Sequence, residues 1–196
     1  MDNPNDLIAQ RRAKIDALRD QGVNPFANDF RVDSTAGEIA ANHDAHDAEQ
    51  LEALAANYAI AGRIMAKRDF GKAAFIQVQD RSGRIQAYVA RNQLGDEAFS
   101  LCSKLDVGDI IGLTGSPFRT KTGELSLRAA SLRVLTKSAL PLPEKWHGLT
   151  DVETRYRQRY LDLIVNPDVR EIFRKRSLII ALMRDFMVAR GYLEVE

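Results

Sequence analysis

An aromatic side chain among amides marks the segment that follows residue 72. If residues 73–80 form a strand, the small and aliphatic residues share its buried face, and Phe75, Gln77 and Gln79 point outward. An exposed ring can stack on an unpaired nucleobase, and such stacking contributes about 1 to 3 kcal/mol per base. Phe75 is therefore a candidate for single-stranded RNA binding. The alternative is that its ring packs beneath a neighbouring loop or a second domain.

Gln86 and Tyr88 are outward-facing by the same parity in the next strand, because Ile85 and Val89 take the buried positions. A glutamine amide carries both a donor and an acceptor, which suits the exposed Watson–Crick edge of an unstacked base such as uracil. An ordinary surface glutamine would give the same pattern.

Two charged residues complete the candidate site. Arg68 ends the first predicted strand and could contact a phosphate or stack through its guanidinium group. Glu124 lies in the last hairpin and could accept a hydrogen bond from a base or hold that arginine. For either residue alone, the sequence favours a solvated surface charge.

The charge of the chain is divided unevenly. Residues 1–57 hold 5 Lys and Arg against 11 Asp and Glu, a net charge of −6, whereas residues 58–95 hold 7 against 2, a net charge of +5. A concentrated basic segment is typical of polyanion binding, although a solvated charged face has the same composition.

The elements that would position these residues form a small β-barrel. Period-two patterns predict strands at 58–68, 73–80, 85–90, 110–118 and 125–135, with a helix at 96–105 between the third and fourth. This β-β-β-α-β-β order predicts an all-β core with flanking helices, a five-stranded OB-fold barrel, whose outer face and loops bind oligonucleotides. A small barrel without a nucleic-acid function has the same element order.

Helices flank the predicted barrel on both sides. Apolar spacing predicts a first helix near 5–21, and the capping-box pair Thr35 and Glu38 begins a second that may break before residue 57. Prolines at 141 and 143 predict an extended linker. Beyond it, a long apolar helix should begin at Asn166-Pro167 and end at Gly191, and residues 192–196 alternate like a strand without a partner. We expect four segments: a helical extension (1–57), the barrel (58–137), a linker (138–150) and the truncated start of another domain (151–196).

Other candidate sites are weaker. His43 and His46, with Asp44 and Asp47, resemble metal ligands but lie in an acidic stretch that we interpret as solvated. Cys102 should be a small buried hydrophobe, and a single cysteine favours a reducing, cytoplasmic location. We expect no metal site, no catalytic residue set and no membrane segment in this chain.

The motifs taken together resemble bacterial-type class II lysyl-tRNA synthetases over nearly the whole chain. The most specific are Trp-His-Gly-Leu at 146–149 and Arg-Tyr-Arg-Gln-Arg-Tyr-Leu-Asp-Leu-Ile at 155–164. The segment 191–196 resembles the start of class II motif 1, which forms the homodimer interface in that family with the helix before it. Aspartyl- and asparaginyl-tRNA synthetases share the fold plan, but the run at 155–164 argues against them.

The resemblance implies roles for single residues. Phe75, in Gly-Lys-Ala-Ala-Phe at 71–75, corresponds to the ring that stacks on the central uridine of the lysine anticodon, and Gln86, Arg68 and Glu124 match the other anticodon-binding positions. The dimer interface is expected to include the following residues: Ile179, Met183, Phe186, Gly191, Tyr192 and Glu194.

The resemblance also implies an activity. The parent enzyme would activate L-lysine with ATP and Mg²⁺ and transfer it to tRNA(Lys), with its active site beyond Glu196, so the segment alone should be inactive and bind neither cofactor. Two rival hypotheses remain. One is a single-strand binder indifferent to sequence; the other is a dimerisation module built on the apolar stripe from Val169 to Met187.

Overall fold

The computed structural model describes residues 4–143 and 149–195. The chain divides into two compact units, one ending at Pro141 and the other beginning at Leu142. Trp146, His147 and Gly148 of the linker motif lie outside the described residues, as does Glu196.

Five strands close into a barrel in the first unit: β1 (Tyr58–Asp69), β2 (Ala73–Gln79), β3 (Arg84–Ala90), β4 (Ile110–Arg119) and β5 (Leu125–Thr136). Their order around the barrel is β1-β2-β3-β5-β4, with β3 and β5 parallel and the other pairs antiparallel. The helix Arg91–Lys104 lies between the third and fourth strands. The predicted β-β-β-α-β-β order and OB-fold class are confirmed.

The barrel interior follows the predicted alternation. Ala74, Ile76 and Val78 of β2 are at most 1% exposed, and Ala87 and Val89 of β3 are fully buried. Closing the sheet on itself leaves no free edge among these strands, so the side chains fill the interior as one core. The outer positions of the same strands are therefore free to form a surface for binding.

Three helices precede the barrel: α1 (Pro4–Asp20), α2 (Ala36–His43) and α3 (Ala48–Ala53). Thr35 and Glu38 form the predicted capping box at the start of α2. The expected second helix is broken because Asp47 caps a new one, accepting a hydrogen bond from the Gln50 backbone. We number the helix after β3 (Arg91–Lys104) α4; it kinks at Gly95, whose φ of 77° is not helical.

Asp44 and Asp47 of the acidic stretch after α2 are exposed, as we expected, but His43 at the end of α2 is buried. His43 is 5% exposed, and its Nε2 lies 2.6 Å from the Tyr58 hydroxyl, while its Nδ1 lies 3.4 Å from Nδ1 of His46. The amphipathic α2 turns one side onto the barrel, since Ile39 belongs to the buried core, and His43, one turn further along the helix, is buried with it.

A buried ion pair joins the residue after β5 to the segment before β4, and side chains of α1 reach the same region. The Lys137 ammonium lies 2.5 Å from Asp109 and 2.8 Å from Asp106, and the side chains of Lys137 and Asp109 are both fully buried. Lys14 of α1 reaches Asp106 at 2.5 Å, and Arg11 donates to the Ser138 carbonyl at 2.9 Å. The residues that follow the barrel are thus held against the first helix.

The second unit contains α5 (Val152–Arg157), α6 (Arg159–Val165) and α7 (Pro167–Val188). Asp162, fully buried, accepts hydrogen bonds from Arg155, Arg159 and Asn166 and ties the three helices together. Asn166-Pro167 begins α7, as predicted. The expected strand at 192–196 is wrong for its described part, because residues 193–195 have no regular structure and no neighbouring strand to pair with.

No helix among the described residues is long and apolar enough to cross a membrane.

Candidate nucleic-acid interface

Phe75 occupies the outer face of β2, as the strand parity predicts. It lies directly opposite Tyr88 of β3, with ring centroids 5.0 Å apart, and Phe70 contacts it edge-on at 6.0 Å. Phe75 and Tyr88 are both partly exposed. The two neighbours hold the Phe75 ring in place while leaving part of it accessible to solvent.

The aromatic surface extends further than the sequence indicated. Tyr88 contacts Phe118 of β4 at 6.0 Å between centroids, and the guanidinium of Arg128 lies 4.8 Å from the centre of the Phe118 ring. Arg128 pairs with Tyr88 across the parallel β3–β5 junction. Parity alone places Phe118 and Arg128 on outer faces, but only the barrel closure brings β4 and β5 beside β3.

Gln86 is held by two acceptors. Its Nε2 donates to the Glu124 carboxylate and to the Ser126 hydroxyl, each at 3.0 Å. Because a carboxylate only accepts hydrogen bonds, the Nε2 must face Glu124, which fixes the orientation of the amide. The carbonyl oxygen Oε1 then remains the acceptor that Gln86 can offer to a ligand. Ser126, which no sequence pattern singled out, is part of this arrangement.

Arg68 lies opposite Phe75 on β1 and is exposed. Its side chain makes no hydrogen bond or ion pair with residues 4–143 or 149–195. Lys67 behaves differently: its ammonium donates to the carbonyls of Cys102 and Leu105, and it is 12% exposed. The structure therefore distinguishes the two adjacent cations, because Lys67 stabilises the barrel while Arg68 is available for a ligand.

The four predicted nucleic-acid residues fall on one connected surface. Phe75 and Arg68 are direct cross-strand partners, and Gln86 and Glu124 are hydrogen bonded. Gln86 lies opposite Gln77, two residues along β3 from Tyr88. Gln79, by contrast, is only 9% exposed, and its side chain accepts a hydrogen bond at 2.6 Å from Arg84, the residue opposite it on β3. It is therefore less accessible to a ligand than its position on the strand indicates.

A cleft of about 240 Å³ adjoins this surface beside α2. The following residues line it: Ala40, Asp44, Gln77, Arg84, Ile85, Gln86, Glu124 and Leu125. This mixed polar and apolar lining suits a flat heterocycle with a polar edge.

Fewer cations are accessible to a ligand on this surface than the charge count suggests. Arg63 donates to the Gly108 carbonyl at 2.6 Å, and burial lowers the pKa of its guanidinium. Arg91 forms an ion pair with Asp96. Arg63 and Lys67 thus serve the fold, whereas Arg68, Lys72 and Arg81 are exposed.

No group of three His, Cys, Asp or Glu side chains is placed to hold a metal ion within 4–143 and 149–195.

The predicted dimer residues lie on and after α7. Ile179, Met183, Phe186 and Tyr192 are each more than half exposed. Glu194 forms an ion pair with Arg184 at 2.8 Å, and Gly191 adopts a φ of 83° beyond the helix end, which favours glycine. The helix therefore presents a continuous apolar side to solvent.

Comparison with known proteins yields two family matches. Residues 58–135 match the OB-fold nucleic acid binding domain, and residues 151–196 match the class II tRNA synthetases of the D, K and N type.

Curated relatives agree with these matches. The chain is 55% identical over 190 residues to a lysine–tRNA ligase of Thioalkalivibrio sulfidiphilus, 53% over 193 to one of Salmonella arizonae and 52% over 191 to one of Anaeromyxobacter dehalogenans. The matches cover 97 to 98% of this chain but only 37 to 38% of the relatives. The chain thus spans less than two fifths of their length.

Proposed function

We propose that this chain belongs to the class II lysine–tRNA ligases and reads the anticodon of lysine tRNA with the outer face of its barrel. The observation that carries the proposal is the fixed amide of Gln86 near the Phe75 ring. An unpaired base would stack on Phe75 and present its edge to Gln86.

The orientation of Gln86 selects among bases. With Nε2 engaged by Glu124 and Ser126, the free Oε1 accepts a hydrogen bond from the ligand. Uridine carries a donor at its N3 position, whereas cytidine carries an unprotonated nitrogen there, which an acceptor repels. The central base of the lysine anticodon is a uridine, so this site would favour it.

Arg68 supplies the electrostatic part of the site. It lies across from Phe75, so a base stacked on that ring would bring its own phosphate near the guanidinium. This contact strengthens binding without selecting a base.

The proposal also assigns a role to each segment of the chain. Residues 58–137 form the anticodon-binding domain, residues 138–150 form the linker, and residues 151–196 form the beginning of the catalytic domain. Residues 1–57 support the barrel.

We assign the chemical step to the rest of the synthetase. The complete protein would use ATP and Mg²⁺ to activate L-lysine and transfer it to tRNA(Lys) in the cytoplasm. We assign no described residue of this chain to either cofactor.

The exposed apolar side of α7, with Gly191, Tyr192 and Glu194, would contribute to a homodimer interface.

The test is binding of this chain to a lysine-tRNA anticodon stem-loop, and to the same loop with its central uridine replaced by cytidine, at one fixed salt concentration. We expect a preference for uridine, and we expect Phe75→Ala to weaken binding by about 1 to 3 kcal/mol. Phe26→Ala is the matched control, because Phe26 is also a half-exposed ring of the first unit. Equal binding of the two loops would reject anticodon reading and favour the sequence-indifferent binder.

A further inference from the structure

We infer that Arg119 is a positioning residue for base selection, acting through Glu124 on the amide of Gln86. This inference rests on the role of Gln86 proposed above. Arg119 is the last residue of β4, and its side chain is 18% exposed.

The guanidinium of Arg119 joins two segments that are distant in sequence. On one side it donates to the Gly123 carbonyl at 2.8 Å, in the turn between β4 and β5. On the other side it donates to the carbonyls of His46 at 3.0 Å, His43 at 3.4 Å and Asp44, where α2 ends. A planar group with five N–H donors can bind several carbonyls at once, whereas a lysine ammonium has three.

The turn that Arg119 holds carries Glu124. Gly123, with a φ of 84°, donates from its backbone to the Thr120 carbonyl at 2.9 Å, and the Thr120 hydroxyl accepts from the Glu124 backbone at 3.0 Å. The turn is therefore closed internally, and Arg119 fixes it against the helical segment. Glu124 itself is exposed and would otherwise depend on the turn alone for its position.

Helix α2 is also fixed at its opposite end. The backbone N–H of Ala36 donates to Asp80 at 2.7 Å, and that of Gly37 donates to Ser82 at 2.7 Å, in the turn between β2 and β3. The helix therefore connects the turn between β2 and β3 with the turn between β4 and β5, which carries Glu124. Arg119 is the connection at the β4–β5 side, so its loss should free the Glu124 turn and leave the Gln86 amide with Ser126 as its remaining acceptor.

The inference is tested first in the free chain, by NMR of the Gln86 side-chain amide protons. In the wild-type chain these protons should be shifted and slowed in exchange by their hydrogen bonds. In Arg119→Ala the proton donated to Glu124 should move toward the value of a solvated glutamine, while the proton donated to Ser126 and the backbone resonances of the barrel core stay unchanged. Unchanged Gln86 amide signals in a folded Arg119→Ala chain would overturn the inference whether or not RNA binds.

The second readout is the ratio of affinities for the uridine and cytidine loops. Arg119→Lys, which keeps the charge, and Arg119→Ala should reduce this ratio by about three- to tenfold, the range of one hydrogen bond. The affinity for the cytidine loop should stay within about twofold, because stacking on Phe75 is retained. Arg12→Ala, which removes an exposed cation of α1, should leave the ratio unchanged.

A double-mutant cycle tests whether Arg119 changes the affinity ratio through Glu124. If Arg119 acts through Glu124, Arg119→Lys should not reduce the ratio further in a Glu124→Ala background. Additive effects would overturn the proposed route. A wild-type chain that shows no preference between the loops would reject anticodon reading, and the amide signals would still decide the role of Arg119.

Discussion

Phe75 and Tyr88 lie directly opposite each other on β2 and β3, with ring centroids 5.0 Å apart and planes inclined by 45°. Directly opposed side chains are the closest neighbours on the face of a sheet, and an aromatic pair contributes about 0.2 to 1 kcal/mol beyond alanine. Tyr88 therefore limits the rotation of the ring on which we expect a base to stack.

Tyr88→Ala should weaken binding of the uridine loop by about 1 kcal/mol, because Phe75 loses one of the two rings that orient it. Tyr88→Phe keeps the ring and should bind nearly as well as wild type. Fluorescence anisotropy titrations at one salt concentration measure both. Equal losses in the two variants would instead assign the effect to the Tyr88 hydroxyl.

Much of this site could be predicted because successive side chains of a barrel strand alternate between the interior and the outer face. Alternating apolar residues in β2 and β3 set which side chains face outward, so Phe75, Gln86 and Tyr88 follow from the sequence. Gln79 is the exception: parity places it on the outer face, but its side chain is only 9% exposed and is engaged by Arg84 of the neighbouring strand.

Contacts between distant segments could not be predicted in the same way. The link between Gln86 and Ser126 depends on the parallel pairing of β3 with β5, which only closure of the barrel produces. Similarly, adjacent Lys67 and Arg68 look equivalent in sequence, but only Lys67 faces the carbonyls at the end of α4. Local sequence patterns determine which face of a strand each side chain occupies, whereas closure of the barrel determines which side chains come into contact.

His43 should make the stability of the first unit depend on pH. Burial, with a smaller contribution from His46, lowers the pKa of His43 below its ordinary value of 6.5. The unfolded chain then binds a proton more readily than the folded chain, so stability should be full above pH 6.5 and fall as the pH drops through the lowered pKa. Thermal unfolding between pH 7.5 and 5 measures this, and His43→Asn should show a shallower decline. An identical decline in the two chains would exclude His43 as the cause.

Cys102 should be chemically inert in the folded chain. Burial raises the pKa of its thiol to about 11, although the nearby Lys67 partly offsets the effect. Very little thiolate exists at pH 8, and thiolate is the reactive form. A thiol reagent such as dithionitrobenzoate should therefore label Cys102 only after addition of denaturant. Rapid labelling of the native chain would contradict both the burial and the raised pKa.

The apolar side of α7 should make the chain associate as its concentration rises. Ile179, Met183 and Phe186 recur at helical spacing and are 55 to 64% exposed, and large exposed apolar patches mark association surfaces. Sedimentation velocity should show a concentration-dependent dimer, which Met183→Glu should weaken. Arg174→Glu, on an exposed polar position of the same helix, is the control. A chain that stays monomeric at high concentration would oppose the proposed interface.

Lys137→Met should strongly destabilise the first unit. The substitution leaves the carboxylate of Asp109, which is fully buried, without its cation at 2.5 Å. Removing one partner of a buried ion pair costs about 3 to 5 kcal/mol, far more than breaking an exposed pair. Urea unfolding measures the loss, and Arg133→Ala, which breaks the exposed pair with Asp29, should change the midpoint little.

The double variant Lys137→Met with Asp109→Leu separates the unpaired charge from the loss of packing. Because the buried carboxylate is then removed as well, most of the lost stability should return. The backbone N–H of Ser138 donates to Asp109 at 2.8 Å, so part of the loss should remain in the double variant. A double variant as unstable as Lys137→Met alone would show that packing against Lys104 and α1, rather than charge pairing, holds the end of β5 in place.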